Sequence, residues 1–287
     1  MDKHAIKRNG EMDGKRVFSF ADRKNLIDLS ANFAGYMAEN HPEVRQLRDI
    51  QTDHVQGFLN EKAETVSQAT LKQYESRFRK LELQINDTYK SAKVDFHSVV
   101  TPCSEVNGGG KIRNQMLTPA HFDQLVSTTN NQNLRAGLIL SREFGLRAAE
   151  ITKLKTSDIR MPEGNQAGEI RIVDSKGKRS RVLPIRPDQK TSVEKALASS
   201  SGDRVVDCQT GSLQKAFRRE LERSGLSENY PNGSYHMTRK LYATESYQKY
   251  RTEGCSVKQA VDRVSRDLGH GANREQLMKE YICCSLN

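Results

Sequence analysis

A mainly helical α+β chain of two domains is what this sequence predicts, and three observations predict it. Its 287 residues exceed the usual size of a single domain. Apolar residues recur at three- and four-residue spacing along most of the chain, and the stretch that alternates instead, between Gly168 and Ile185, is short. Gly108, Gly109 and Gly110 interrupt both patterns, because consecutive glycines resist helix and strand alike. The expected division is a helical N-terminal bundle over 1–106, a Gly-rich linker over 107–115, and a C-terminal domain over 116–287, mostly helical with a small β-hairpin or sheet. Hydrophobic residues make up 35% of the chain and tryptophan is absent, so both cores must be built from Leu, Ile, Val, Phe and Ala.

In the first domain, Leu26, Ile27, Leu29, Phe33 and Tyr36 or Met37 give a helix between Phe20 and Glu39. Thr52 or Asp53 is expected to cap a second helix through Val55, Phe58 and Leu59. Ser67 opens a third, with Leu71, Tyr74, Phe78, Leu81 and Ile85 on one face. Arg45, Arg48, Lys72, Arg77, Arg79 and Lys80 fall on the remaining faces, where a set of cations on a tethered domain suits one half of a clamp around a polyanion.

In the second domain, Thr118-Pro119 has the cap-then-proline order of a helix start. A helix from Leu134 to Phe144 stops at Gly145, and another is expected from Ala148 to Leu154. The period then changes: Gly168 to Asp174 alternates, Ser175-Lys176-Gly177-Lys178 reads as a turn, and Arg181-Val182-Leu183-Pro184-Ile185 returns. Beyond Ser212 the helical spacing resumes, with Leu213, Phe217 and Leu221 on one side and Lys215, Arg218, Arg219 and Arg223 on the others.

The formal net charge is +10, spread along the chain, and the isoelectric point is about 9.4. A folded basic protein of this kind commonly meets nucleic acid. No window approaches the ~18 apolar residues that a membrane span needs, and the N-terminus carries no apolar leader, so a soluble cytoplasmic protein with no membrane partner is expected. Cys103, Cys208, Cys255, Cys283 and Cys284 form no C-x-x-C pair and no zinc-spaced set, which points to free thiols and no metal site.

The residues that carry chemistry come in a fixed order. Gly145-Leu146-Arg147-Ala148-Ala149-Glu150 is followed by Ser175-Lys176-Gly177-Lys178, His236-Met237-Thr238-Arg239, Leu268-Gly269-His270 and a late Tyr281. Cleaving a phosphodiester without a metal needs a nucleophile, compensation for charge on the non-bridging oxygens, and an acid for the departing oxygen. Arginine suits the second task, because its planar fork holds two phosphate oxygens and keeps its charge. His236 and Arg239 share one helical face. Glu150 and Asp267 are poor candidates for acids, since a carboxylate beside the phosphate would repel it, and Glu150 in G-L-R-x-x-E is better placed to orient neighbouring groups or to bind a positive partner.

Taken together, this ordered set resembles the tyrosine recombinases, the phage-integrase family. The motifs cover residues from about 116 to 287; the first domain matches only in position and helical character, as the core-binding domain of that family would. The resemblance implies a site-specific DNA recombinase that cleaves and rejoins strands through a 3′-phosphotyrosyl intermediate and a Holliday junction, with no ATP, metal or other cofactor. It implies Tyr281 as nucleophile, Arg147, Arg239 and His270 on the phosphate, and His236 as proton acceptor. Lys176 is the expected general acid, about eight residues before Pro184, with Lys178 as the fallback. Implied partners are double-stranded DNA bearing specific recombination sites, a homotetramer on that DNA, and DNA-bending accessory proteins; the protein would be nucleoid-associated when bound. The helix after Ser212 would lie near the duplex.

Three departures stand out. Tyr281 lies eleven positions after His270, a longer interval than is common in the family, and Lys240 follows Arg239 where many relatives have histidine. Only Ile282 to Asn287 follow the tyrosine, where many relatives extend a helix that docks on a neighbouring protomer. The competing readings are a type IB topoisomerase-like nicking-closing enzyme and a non-catalytic DNA-binding regulator.

Overall fold

The computed structural model describes residues 17, 19–89, 93–106, 115–164, 166–173, 175, 180–200 and 202–285. The chain divides into two compact units, Met1–Gly110 and Lys111–Asn287. Most of the expected linker over 107–115, together with the turn residues Lys176, Gly177, Lys178 and Arg179, lies outside the described residues.

The first unit is a helical bundle. Helix α1 (Phe20–Asn40) starts where Ser19 accepts from Asp22 N at 3.1 Å, an N-cap that satisfies an otherwise unpaired amide. Helix α2 (Thr52–Ala63) begins one residue earlier than a Thr52 or Asp53 cap would allow. Gln51 is the N-cap, its amide donating to His54 Nδ1 at 3.0 Å, while Thr52 Oγ1 is drawn away to Asp95 O at 2.7 Å. Helix α3 (Gln68–Thr88) follows Ser67 as expected.

Phe33, Phe58 and Phe78 meet edge to face at 5.1–5.7 Å in the centre of this unit, the arrangement that ring quadrupoles favour. Residues 93–106 are held against the helices by side-chain amides: Gln56 pairs with both backbone groups of Val100, and Gln68 bridges Pro102 O and Ser104 N. Of the cations assigned to outer faces, Arg45, Arg48 and Lys72 are exposed, whereas Arg79 pairs with Glu75 and Lys80 with Asp22.

The second unit wraps helices around one small sheet. Helix α4 (Pro119–Thr128) is capped by Thr118, which accepts from His121 N at 3.2 Å. Helix α5 (Gln132–Phe144) ends at Gly145 in the left-handed region. Helix α6 (Ala148–Ile151) is a single turn that stops short of Leu154. It ends there because the chain leaves to pair with residues 203–205, Leu154 O accepting from Val205 N and Asp203 O from Thr156 N.

The expected hairpin is present, joined by a third strand. β1 (Ile159–Arg160), β2 (Gly168–Ile172) and β3 (Arg181–Ile185) run antiparallel in that order, with Ile170 opposite Leu183 and Ile172 opposite Arg181. β1 was invisible in the sequence because two residues cannot show alternation. Ile170, Ile172, Leu183 and Ile185 turn inward onto the core.

Helices α7 (Lys190–Leu197), α8 (Thr210–Arg223), α9 (His236–Thr252), α10 (Val257–Asp267) and α11 (Glu275–Met278) complete the unit. One core gathers Leu134, Leu138 and Leu140 of α5 with Val193, Leu213, Phe217 and Leu241. A second joins Tyr242 and Tyr247 of α9, Val261 and Val264 of α10, Leu268, Met278, Tyr281 and Ile282. The chain's last aromatic residue is therefore part of a core. No described helix is long and apolar enough to cross a membrane.

Candidate active site

The site begins at the break between α5 and α6. Gly145 turns the chain, Leu146 is buried, and Arg147 becomes the N-cap of α6. Three residues on, the Glu150 carboxylate reaches back to accept from Arg147 N at 2.9 Å and from Arg147 Nη1 at 2.8 Å. That double contact fixes both the backbone and the guanidinium of Arg147.

Arg239 sits in the first turn of α9 and is 1% exposed. Its Nη1 donates to Gly145 O and its Nη2 to Leu268 O, so it joins the α5–α6 break to the segment before His270. Nε has no hydrogen-bond partner among the described residues. Burial, and then the nearby charge of Arg147, push its pKa down. A guanidinium still holds its proton near neutrality, so the strain falls on the local electrostatics, and an anion would relieve it.

His270 lies where these groups converge. Its Nε2 is 3.2 Å from Arg147 Nη2, 3.4 Å from Arg239 Nη2 and 3.3 Å from Tyr281 Oη. Guanidinium groups only donate, so Nε2 accepts where it faces them alone, whereas the tautomer with its proton on Nε2 would donate to an oxygen placed opposite. Tyr281 is 8% exposed. Its ring meets the His236 ring edge-on at 5.0 Å and lies 5.5 Å from Arg239 Cζ. The long interval from His270 is taken up by α11, after which Tyr281 N donates to Met278 O. Beyond it Ile282 is buried and Cys283 N donates to Thr244 Oγ1 at 3.0 Å, so the residues next to Tyr281 are anchored in its own chain.

Glu150 is the carboxylate on which the cations are hung. Arg181, the first residue of β3, grips it with both arms at 3.0 and 3.1 Å, and Ser175 donates to Oε1. Burial alone would favour the protonated acid, but the hydrogen bonds and charge of Arg181, then Arg147 N and Ser175, hold Glu150 well below the usual carboxylate range. Asp267 behaves oppositely. Burial pushes its pKa up even though Tyr250 and Tyr242 donate to it at 2.8 and 3.1 Å.

Arg147, the His236–Arg239 pair of α9, His270 and Tyr281 are thus brought into one cluster from four segments of the chain. Lys176 and its alternative Lys178 lie outside the described residues, although Ser175 just before them touches Glu150. Sequence reasoning named no specific partner for Glu150 and read Arg181 as the first residue of the return strand. Its position at an odd register of an alternating strand was the available signal, since Arg181, Leu183 and Ile185 share a face. Lys240, the unusual neighbour of Arg239, is buried.

A cavity of about 200 Å³ opens beside this cluster, walled by Arg147, His236, Arg239, Tyr235, Thr210 and Gln214. Two guanidinium groups and the His236 imidazole in its wall make a receptor for a tetrahedral anion, and the Tyr281 ring stands against that imidazole.

Residues 115–251 match the Phage integrase family. That segment belongs to the family, the tyrosine recombinases. This recombinase is similar in structure to the lambda integrase fragment 75–356 seen as a dimer on a COC′ core site, at a TM-score of 0.66 and 15% identity over 98% of this chain and 95% of that one. The lambda integrase tetramer bound to a Holliday junction gives 0.64 and 16%, over 98% and 77% of the two chains. XerH bound to a palindromic difH substrate gives 0.59 and 18%, over 88% and 74%. At these identities the likeness is one of fold. Comparison with curated protein sequences gives no match.

Proposed function

We propose that this tyrosine recombinase exchanges DNA strands at specific sites with Tyr281 as its nucleophile. The observation that carries the reading is the meeting of Tyr281 Oη with His270 Nε2, which Arg147 and Arg239 also face. Tyr281 Oη attacks the scissile phosphorus, the bond to the 5′ oxygen breaks, and a 3′-phosphotyrosyl linkage and a 5′ hydroxyl result. His236, ring against ring with Tyr281, receives the phenolic proton. Lys176 supplies the proton to the leaving 5′ oxygen. Arg147 and Arg239 hold the non-bridging oxygens, the orphaned Nε of Arg239 among their donors, and His270 donates to the same group once an oxygen has taken its place opposite the guanidinium groups. These cations supply the charge compensation, so neither ATP nor a divalent metal enters the scheme.

The phosphotyrosyl bond conserves the energy of the broken linkage, and a 5′ hydroxyl from a second duplex reseals it. Two such exchanges, made in turn by a homotetramer, pass through a Holliday junction. The exposed Lys215, Arg218 and Arg219 of α8 lie against the duplex backbone, and Arg45, Arg48 and Lys72 of the first unit contact it separately. The lambda integrase and XerH complexes on DNA, one of them a tetramer on a junction, support this assembly. A mobile genetic element and DNA-bending accessory proteins are the expected setting.

The test is trapping on a nicked suicide duplex carrying the element's own ends, with a chelator present. The wild type should form a covalent protein–DNA band that Tyr281→Phe lacks, and two separate sites should yield recombinant product. Nicking and closing without recombinants would leave a topoisomerase-like enzyme. Tight binding with no covalent band would leave a DNA-binding regulator.

A further inference from the structure

Arg181 has no place in the strand-exchange chemistry above, yet it is among the best-held side chains in the second unit. Three of its nitrogens are used: Nη1 and Nη2 donate to the two oxygens of Glu150 at 3.0 and 3.1 Å, and Nε donates to Asp267 O at 3.1 Å. The first pair reaches the segment that carries Arg147. The third reaches the last residue of α10, three positions before His270. Ser175, which shares Glu150 Oε1 with Arg181, is the residue immediately before Lys176.

Gly269 provides an independent observation. It adopts φ +72°, and a Cβ built there would stand 3.0 Å from Arg181 Nη1 and 3.3 Å from Cζ. The L-G-H turn thus lies directly on the face of the guanidinium, and the residue between Leu268 and His270 has no side chain where Arg181 passes. Lysine could not replace this arrangement. A single ammonium reaches one oxygen or another, whereas the planar fork spans a carboxylate and a carbonyl at fixed angles.

We propose that Arg181 is a positioning residue for strand cleavage: through Glu150 and the Asp267 carbonyl it sets the distance between Arg147 and His270, and so the place of the groups that Tyr281 Oη meets. The inference rests on the tyrosine-recombinase reading of the site. Arg181 itself touches neither phosphate nor nucleophile. Removing it frees two segments to drift by a few tenths of an ångström, which cleavage geometry does not tolerate, while the DNA-facing cations elsewhere stay in place.

The experiment measures full-length protein on the nicked suicide duplex, recording DNA affinity by titration and covalent-complex formation in single-turnover mode. Tyr281→Phe is the reference for the parent reading. Arg181→Ala should bind within about threefold of wild type yet cleave about a hundredfold more slowly, Arg181→Lys should recover little, and millimolar methylguanidinium should restore a substantial part of the lost rate to Arg181→Ala alone. Gly269→Ala, which presses on the guanidinium from the other side, should show the same split. A purely structural arginine would lower affinity and cleavage together, in proportion to the loss of folded protein, and would not respond to methylguanidinium. That result, or cleavage by both Arg181 variants at the wild-type rate while Tyr281→Phe is dead, overturns this inference and leaves the parent reading standing. A wild type that forms no covalent band overturns both.

Discussion

Tyr281 holds its hydroxyl 3.3 Å from His270 Nε2 within a single chain. The contact does not rest on one bond, because Met278 and Ile282 on either side are buried in the same core and Cys283 N is tied to Thr244. The hydroxyl proposed as nucleophile thus stands with Arg147 and Arg239 of its own chain, which bears directly on how protomers would share the reaction.

Cleavage should therefore proceed in cis. Mixing Tyr281→Phe with Arg239→Ala, each inactive alone, should yield no covalent complex on the suicide duplex above the sum of the two separate proteins. Recovery toward a quarter of the wild-type yield, the share expected if random pairing let one chain lend its tyrosine to another, would show that the tail leaves its core on assembly.

Glu150 and Asp267 should respond to pH with opposite signs. Glu150 is held below its ordinary value, so its contribution to stability is complete above the unfolded carboxylate pKa of about 4.3 and is lost as pH falls through the folded value. Glu150→Gln should cost about 3 kcal/mol at pH 7, and the gap from wild type should close as the pH drops below about 4. Asp267, flanked by Tyr242, Tyr250, Arg181 and Arg186, is pushed above its ordinary value. Its contribution is present below about pH 3.9 and is lost as pH rises through the folded value. Asp267→Asn should thus gain on wild type between pH 4 and 7, an outcome that thermal melts at a series of pH values would show. Melting curves that run parallel at every pH would contradict both assignments.

How much of this was legible beforehand differs by element. The longer helices could be read because Leu26, Leu29, Phe33 and Met37, or Leu213, Phe217 and Leu221, repeat at the helical period and bury one face. The cluster of Arg147, Arg239, His270 and Tyr281 could be read because its motifs retain their order along the chain. What the sequence concealed are relations between segments. Arg181 meets Glu150 across 31 positions, and no local period records such a contact. The one-turn α6 and the two-residue β1 depend on hydrogen bonds to distant backbone, such as Val205 N to Leu154 O, rather than on their own residues. Arg79, Lys80 and Arg223 look like available cations in sequence, yet each is engaged by a carboxylate in the fold.

Helix α8 separates stability from binding on its two faces. Phe217 is fully buried, so Phe217→Ala should destabilise the unit by about 3–5 kcal/mol. Lys215→Ala and Arg219→Ala change exposed side chains and should leave the melting temperature nearly unaltered. Each should instead weaken DNA binding across sequences and lower the slope of log affinity against log salt by about one. Arg223→Ala, whose guanidinium is folded onto Glu220 and Thr128 O, should not change that slope. An unchanged salt slope for Lys215→Ala and Arg219→Ala would remove α8 from the DNA interface.

Gly145 offers the sharpest test of how the fold supports the site. It takes φ +61°, which costs a residue with a side chain about 1–2 kcal/mol. A Cβ there would also stand 2.5 Å from Tyr242 Cδ1 and 2.8 Å from Leu268 Cδ2, both in packed surroundings, adding about 1–3 kcal/mol of overpacking. Gly145→Ala should therefore lower stability by about 3 kcal/mol. The effect on cleavage should be larger than that loss alone explains at a temperature where the variant remains folded. Gly145 O accepts from Arg239, and Leu268 O, beside the displaced Cδ2, accepts from the other arm of the same guanidinium, so strain at this one position is passed to both anchors of the buried arginine. Thermal unfolding together with single-turnover cleavage at 20 °C would show it. A variant that melts several degrees lower yet cleaves at the wild-type rate would mean that Arg239 is held by its burial and not by these two carbonyls.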